Sequence, residues 1–335
     1  MINKNNPKSI LLIKPGAIGD LLQLTPVIRT LKTAFPSSEI TLLLGSSATA
    51  ALFKHNPYLW ETLVYDKTGK DPLHIPFLKL WKRLRERKFD LVVNFQRSNL
   101  KTWLLAAAAF PCRVLVYHKP RERIVHVVDN YLETIRPLGI ASAGRNLELH
   151  FGRDDEQFAE DFFGSANFDN KPVVALNPGA SHAVNRWSTD QFAALADLLA
   201  EKLAVKVILV GGAQDSALAQ EIVSKAKTTP LDITGKASLL QTGALLKKCA
   251  VLVSGDTGPL HLATAVGTKV VALFGAADPA RTGPVGAGHR VIQAKDVACV
   301  PCCSRVCNNP AYLDCMEKIS AQEVFQVVAS MLRSA

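Results

Sequence analysis

The chain lacks any apolar run approaching the roughly 18–20 uninterrupted residues of a membrane-spanning helix. Its most apolar candidate, residues 103–110, is far too short. A signal-peptide pattern is missing too, because the apolar run "ILLIK" after "MINKNNPKS" stops early. A cytoplasmic location is therefore expected. No G-x-G-x-x-G follows the first apolar run, where the glycines are Gly16 and Gly19, which argues against a dinucleotide oxidoreductase. No G-x-x-x-x-G-K-[ST] occurs, which argues against a P-loop enzyme. Cysteine is scarce outside one segment. Of seven in all, five fall between residues 299 and 315, which is not the spacing of a secreted disulfide framework.

What is present describes a folded protein of 335 residues, 48% hydrophobic and 20% charged, with room for two domains. A net charge of +10 and a pI near 9.3 favour an anionic partner: nucleic acid, an anionic membrane face or a phosphorylated substrate. The charge is not blocked into a tail, so disorder is not expected.

Apolar strand-like runs at 9–13, 39–44, 61–65, 89–95 and 113–117 alternate with helical patterns near 20–34, 46–54, 76–87, 98–109 and 124–138. Such alternation predicts a parallel sheet with helices on both faces. The pattern weakens over 139–172, where Gly, Ser, Asn and Pro accumulate. A second series then begins, with strands at 173–177, 205–210, 231–233, 251–253, 270–274 and 290–293 and helices near 188–203, 214–226, 238–248 and 257–266. The expected class is α/β, with two Rossmann-like, doubly wound domains facing across a cleft. The expected boundaries are 1–168, 169–319 and a C-terminal helix, 320–335, packing back on the first domain. Ligands in such sheets sit outside the carboxyl ends of the strands.

Two strand ends lead into glycine turns with polar residues. After residue 13 comes "KPGAIGDLLQLTP", in which Gly16 and Gly19 let substrate approach and Asp20 is the one carboxylate. Asp20 could cap the following helix, since Asp20 and Gln23 stand at capping-box spacing. It could instead serve as a base. The stretch "SGDTGPLHLA" follows the strand ending at Val253. Pro259 suits a first helical turn. The free N–H groups at Thr257 and Gly258 then form an anion site. Asp256 could accept from a sugar hydroxyl or cap the helix, and His261 could face the same ligand or be an ordinary buried histidine. The turn "NPGASHAVNRWS" offers Ser181, Asn185 and Arg186 as polar contacts, Arg being suited to phosphate. Its alternative is a loop closed by Trp187, with Ser188 capping the next helix. "VGGAQDS" gives a third strand-end turn, with Asp215 available.

In the cysteine-rich stretch, Cys299, Cys302, Cys307 and Cys315 form a candidate structural zinc set, leaving Cys303 spare. Disulfides and plain reduced thiols are the alternatives. Cys112 and Cys249 read as core residues.

Taken together, "KPGAIGDLLQLTP", "NPGAS…NRWS", "SGDTGPLHLA" and "LFGAADPARTGPVG", in that order, resemble glycosyltransferase family 9, the lipopolysaccharide heptosyltransferases. The resemblance covers about residues 9–330. It implies a GT-B fold with an N-terminal acceptor domain, a C-terminal nucleotide-sugar domain, ADP-heptose as donor and inversion at the anomeric carbon. No catalytic metal or other cofactor is implied. The implied acceptor is an anionic, lipid-linked saccharide, the inner core of lipopolysaccharide. By position, Asp20 matches the family's proposed general base, and Asp256, Thr257, Gly258 and His261 match its donor motif. Ser181 falls near the diphosphate position and Asp215 near an acidic residue at the nucleotide ribose. The family commonly has Lys two residues before the Trp; here that position is Asn185, so Arg186 or a different donor must account for the missing cation.

On the acceptor side, Arg97, Lys101, Lys119, Arg121 and Arg123 could hold phosphate or sugar-acid groups, or simply form a solvated basic surface. The basic, amphipathic pattern at 76–87 fits either an anionic membrane face or an ordinary surface helix. The expected setting is therefore the cytoplasm, peripheral to the inner membrane, with no nucleic-acid partner. The competing readings are a family member with another sugar donor, a nucleotide-sugar epimerase of similar fold, and a non-catalytic zinc or redox-regulated interaction protein.

Overall fold

The structure, a computed structural model, describes residues 6–66, 68–96, 100–118, 124–166, 168 and 171–333, with 100–102 described by backbone only. The chain forms two compact units, residues 1–150 and 151–335.

The first unit is built on β1 (Ser9–Ile13), β2 (Glu39–Leu44), β3 (Glu61–Val64), β4 (Leu91–Asn94) and β5 (Arg113–Val116), joined in the order β3-β2-β1-β4-β5. Every pairing is parallel. Strands buried on both faces need side chains that are apolar throughout. Ile10, Leu11, Leu12 and Ile13 meet that need, being fully buried. The second unit carries β6 (Val173–Asn177), β7 (Lys206–Leu209), β8 (Leu231–Asp232), β9 (Val251–Gly255), β10 (Lys269–Phe274) and β11 (Arg290–Gln293), in the order β11-β10-β9-β6-β7-β8, again all parallel. Strand order reverses between β1 and β4 and between β6 and β9. The two motif loops thus leave the sheets at the switch points, where ligands of doubly wound sheets bind.

Several expectations on element bounds are corrected. The helix expected over 20–34 is two helices, Ile18–Leu22 and Thr25–Ala34. Pro26 has no N–H to continue the first helix, and the Thr25 hydroxyl donates to the Leu22 carbonyl at 2.7 Å across the break. The boundary lies at 150/151, not near 168. Arg29 holds residues 143–146 on the first unit through the carbonyls of Ala143, Gly144 and Asn146, and pairs with Glu148 at 2.5 Å. The helix Arg153–Ser165 packs instead on Leu239–Lys247, with Lys247 3.3 Å from Glu156. The loop-like composition before β6 therefore falls inside the second unit and marks no boundary.

The last helix, Ala321–Arg333, is corrected in the same way. Its apolar side, with Val324, Phe325, Val328 and Met331, joins the second unit's core against Phe192, Leu195 and Leu199 of the helix Thr189–Leu203. Trp187 ties this layer together. It packs edge-on against Phe192 at 4.8 Å and donates its indole N–H to the Ile319 carbonyl at 2.8 Å.

Replacing Trp187 by Ala should destabilise the second unit by about 3–5 kcal/mol, the usual cost of truncating a buried tryptophan. Urea unfolding followed by circular dichroism checks this, and an unchanged midpoint would refute the anchoring role.

Candidate active site

At the end of β1 the chain places Lys14, Gly16 and Asp20 together. The helix Ile18–Leu22 starts after Ala17, which makes no side-chain capping bond, and Asp20 lies inside its first turn. The capping-box reading of Asp20 and Gln23 is therefore wrong. Gly19 lies within the same helix, where its carbonyl accepts from Gln23 N–H.

Two groups hold one oxygen of Asp20. Lys14 Nζ stands 3.5 Å from Oδ1, and the Tyr131 hydroxyl, from the helix Val127–Ile135, donates to the same atom at 3.2 Å. Among the described residues nothing bonds Oδ2. The Asp20 side chain is 44% exposed, whereas that of Lys14 is 8% exposed. Gly16 keeps this oxygen accessible, because a Cβ there would sit 3.0 Å from Asp20 Cβ and 3.3 Å from Oδ2. The Lys14 ammonium also lies 5.2 Å from the centre of the Tyr131 ring. Burial lowers the Lys14 pKa, and Asp20 works against that shift. Burial, followed by the charge on Asp20, pushes the Tyr131 phenol well above its usual range, so it stays protonated and donates. The result is a carboxylate with one oxygen fixed and one presented.

The second unit gathers its polar groups at β6 and β9. Asn177 is 1% exposed, and its Nδ2 reaches Gly179 O at 3.1 Å, Ser254 Oγ at 3.0 Å and Thr257 Oγ1 at 3.1 Å. One side chain thus fastens the 178–186 loop to the end of β9. Gly255 is needed here for space, since a Cβ would meet the Asn185 carbonyl at 2.3 Å. Thr257 is the N-cap residue of the helix Gly258–Ala265, but its hydroxyl bonds sideways to Asn177 and Ser254 and does not cap. With Pro259 in the first turn and no side chain capping it, this helix presents its first N–H groups outward, as an anion site requires.

Asp256 accepts from the Thr282 hydroxyl at 3.0 Å through Oδ2, and its Oδ1 lies 3.7 Å from His261 Nε2. His261 is buried, and its Nδ1 has no partner among the described residues. Asn185 Nδ2 reaches the Asp256 carbonyl at 3.4 Å. It therefore braces the loop rather than replacing the family's lysine.

Arg186 folds onto its own loop, donating from Nε and Nη2 to the Ala180 carbonyl at 3.0 and 2.8 Å. Ser181 is exposed on the same loop, and Ser188 caps the helix Thr189–Leu203, as its alternative reading has it. Asp215 is buried and caps its own turn, accepting from Gly212 N–H at 2.9 Å. It also fills the space under Gly179, where a Cβ would come within 2.2 Å of its carboxyl carbon. Asp215 thus shapes the loop from below.

The acceptor-side candidates Arg97, Arg121 and Arg123, with Lys119, lie outside the described residues, and Lys101 is placed only as part of the helix Leu100–Ala108. Lys14, Tyr131, Asn177, Ser254 and Thr282 escaped the sequence reading. Lys14, Asn177, Ser254 and Thr282 stand inside the quoted motifs and could have been found there. Tyr131 is 111 residues from Asp20, and no local pattern links them.

Cys299, Cys302, Cys307 and Cys315 line one cavity of about 390 Å³, with Val184 and Leu313 on its apolar wall. Burial, then the neighbouring Cys299, Cys302 and Cys307, raises the Cys315 thiol pKa. All seven cysteines are free. Among the described residues no three His, Cys, Asp or Glu side chains stand close enough to hold a metal ion, so the four thiols share a cavity without forming a coordination shell. Cys303 is not part of the lining. Cys249 is a core residue, as expected, and Cys112 packs half-buried at the edge of the first unit's core.

Residues 77–313 match the family described as glycosyltransferase family 9 (heptosyltransferase). The chain is 27% identical over 297 residues to the lipopolysaccharide core heptosyltransferase OpsX of Haemophilus influenzae, covering 83% of this chain and 82% of that protein. Its fold matches a family 9 glycosyltransferase structure from Veillonella parvula, with a TM-score of 0.84 and 24% identity over 99% of both chains. It also matches the E. coli ADP-heptose lipopolysaccharide heptosyltransferase II, with a TM-score of 0.79 and 22% identity over 97% of this chain and 99% of that one. These neighbours share two parallel-sheet units of GT-B type, and the matched span includes the β6 and β9 loops described above. The chain belongs to glycosyltransferase family 9.

Proposed function

We propose that this chain is an inverting heptosyltransferase that moves heptose from ADP-heptose to the inner core of lipopolysaccharide, with Asp20 as general base. Family membership and the named activities of the similar proteins support the substrate class. The observation that carries the catalytic reading is Asp20 itself, with Oδ1 held by Lys14 and Tyr131 and Oδ2 left open.

In this reaction an acceptor hydroxyl oxygen forms a bond to the anomeric carbon as the bond from that carbon to the ADP diphosphate breaks. The hydroxyl proton passes to Asp20 Oδ2. Positive character grows on the sugar ring, by analogy with glycoside cleavage. Negative charge grows on the departing diphosphate, and the helix start at Thr257 and Gly258 is suited to receive it. The first unit then serves the acceptor and the second the nucleotide sugar. The partners are ADP-heptose and an anionic lipid-linked saccharide, met in the cytoplasm at the inner membrane. No described helix is long and apolar enough to cross a membrane.

One observation favours a second reading within the family. Asn185 stands where the family has lysine but braces the loop, and Arg186 spends two of its N–H groups on Ala180, so the diphosphate anchor differs from the family's, in keeping with a different sugar donor. We also assign Cys299, Cys302, Cys307 and Cys315 a structural zinc. The four thiols suit its tetrahedral, sulfur-rich preference, and binding would draw them together and deprotonate them.

Asp20→Asn should cut transfer by about 10²- to 10⁴-fold while leaving donor affinity within a few-fold, since it removes the proton acceptor and keeps the shape. Wild-type turnover would end the base assignment. Tyr131→Phe should cost roughly ten- to a hundredfold, the worth of one hydrogen bond to a charged group. A thermal-shift panel of ADP-, UDP-, GDP- and CMP-sugars should single out ADP-heptose; stabilisation by another sugar nucleotide alone would favour the second reading. Protein purified under reducing conditions should carry one zinc per chain, and sub-stoichiometric metal would retire the zinc assignment.

A further inference from the structure

All three exposed tryptophans, Trp60, Trp81 and Trp103, lie in the first unit. Two of them belong to neighbouring helices, Phe77–Arg87 and Leu100–Ala108, which pack side by side on the sheet. The second helix is apolar almost all round. Leu105, Ala106, Ala108 and Ala109 enter the core, yet Trp103 is 41% and Leu104 46% exposed on its outer side, and Phe110, just past its end, is 52% exposed. A helix of this kind is normally covered.

The first helix continues the patch. Its core residues are Leu80 and Leu84, and its two flanks differ. Arg83 and Arg87 are engaged by Glu61, so that flank leans toward β3. Arg85 donates to the Phe110 carbonyl at 2.7 Å, so the other flank borders the second helix. Leu78 and Trp81 share that flank at helical spacing and are 79% and 38% exposed. Lys82, Arg85 and Lys88 stand around them; among the described residues Lys82 reaches only Glu86, at 3.8 Å, and Arg85 and Lys88 have no acidic partner. The helix Leu100–Ala108 contains no acidic residue at all.

We propose that this face, formed by Leu78, Trp81, Trp103, Leu104 and Phe110 inside a ring of lysine and arginine, docks the protein on an anionic lipid bilayer. Charge complementarity decides the occupant. Large apolar and aromatic side chains enter the boundary between headgroups and acyl chains, while lysine and arginine reach the anionic headgroups with their stems along the apolar surface. A second copy of the same face would bring the cations against one another. The proposal rests on the heptosyltransferase reading only for the acceptor being lipid-linked. Docking would set the acceptor-binding unit at the bilayer surface, where such an acceptor resides.

The test is sedimentation of the full-length protein with vesicles of phosphatidylcholine alone or mixed with phosphatidylglycerol, without donor or acceptor. The wild type should pellet with the anionic vesicles and stay in solution with the neutral ones. Trp103→Ser with Leu104→Ser should weaken binding by about tenfold or more. Lys82→Glu with Lys88→Glu should weaken it by a similar factor, each surface cation contributing roughly fivefold. Both variants should keep wild-type circular dichroism and ADP affinity. Failure of the wild type to bind anionic vesicles, or equal binding by both folded variants, would overturn the proposal. So would a wild-type dimer that Trp103→Ser with Leu104→Ser dissolves, since it would give the face to a second copy. Lipid binding is read without sugar transfer, so a failure of the heptosyltransferase assignment would show separately, in the donor panel.

Discussion

Strands buried on both faces leave polar side chains few places to stand. In both sheets the strand interiors are filled by aliphatic residues from neighbouring elements, and a charge there would have no partner and no water. Function is pushed to the strand ends, and among these to the points where strand order reverses and adjacent loops part. The ends of β1, β6 and β9 are those points, and each opens into a turn holding the residues of interest. The rest of the site follows from that constraint.

Within it, the two units solve different problems. The first must present one oxygen of Asp20 and fix the other. A cation and a phenol converge on Oδ1, and both are buried, so their positions are set by packing. The second unit must keep several backbone N–H groups free in one place. Asn177 does this indirectly, by occupying the hydroxyls of Ser254 and Thr257, one of which would otherwise be a natural cap for the following helix. Gly179 and Gly255 serve closeness, one over the Asp215 carboxyl and the other beside the Asn185 carbonyl. The conspicuous polar residues of the loop, Asn185, Arg186 and Asp215, largely hold the loop itself.

The same accounting separates the two surfaces of the first unit. The helix Phe77–Arg87 satisfies Arg83 and Arg87 on Glu61 and leaves its other flank to Leu78, Trp81 and Arg85. Beside it, Leu100–Ala108 turns aromatic and aliphatic groups to the outside. Core packing explains the inward halves of both helices and leaves the outward halves for an external surface.

The sequence by itself determined the two-unit α/β class, most strand positions, the glycine turns and the family, because these rest on local periodicity and on motifs whose residues stand near one another. It did not determine where one unit ends, since Arg29 and Glu148 meet only through folding, and it misplaced the last helix for the same reason. Nor could it say whether Asp20 caps a helix. Capping is a matter of where the helix begins, and a one-turn difference reverses the answer. Only the tertiary structure brought Tyr131 to Asp20 across 111 residues and seated Lys14 beneath it. The role of a carboxylate depends on what occupies its oxygens, and its partners came from distant segments that only the packed sheet and helices brought together.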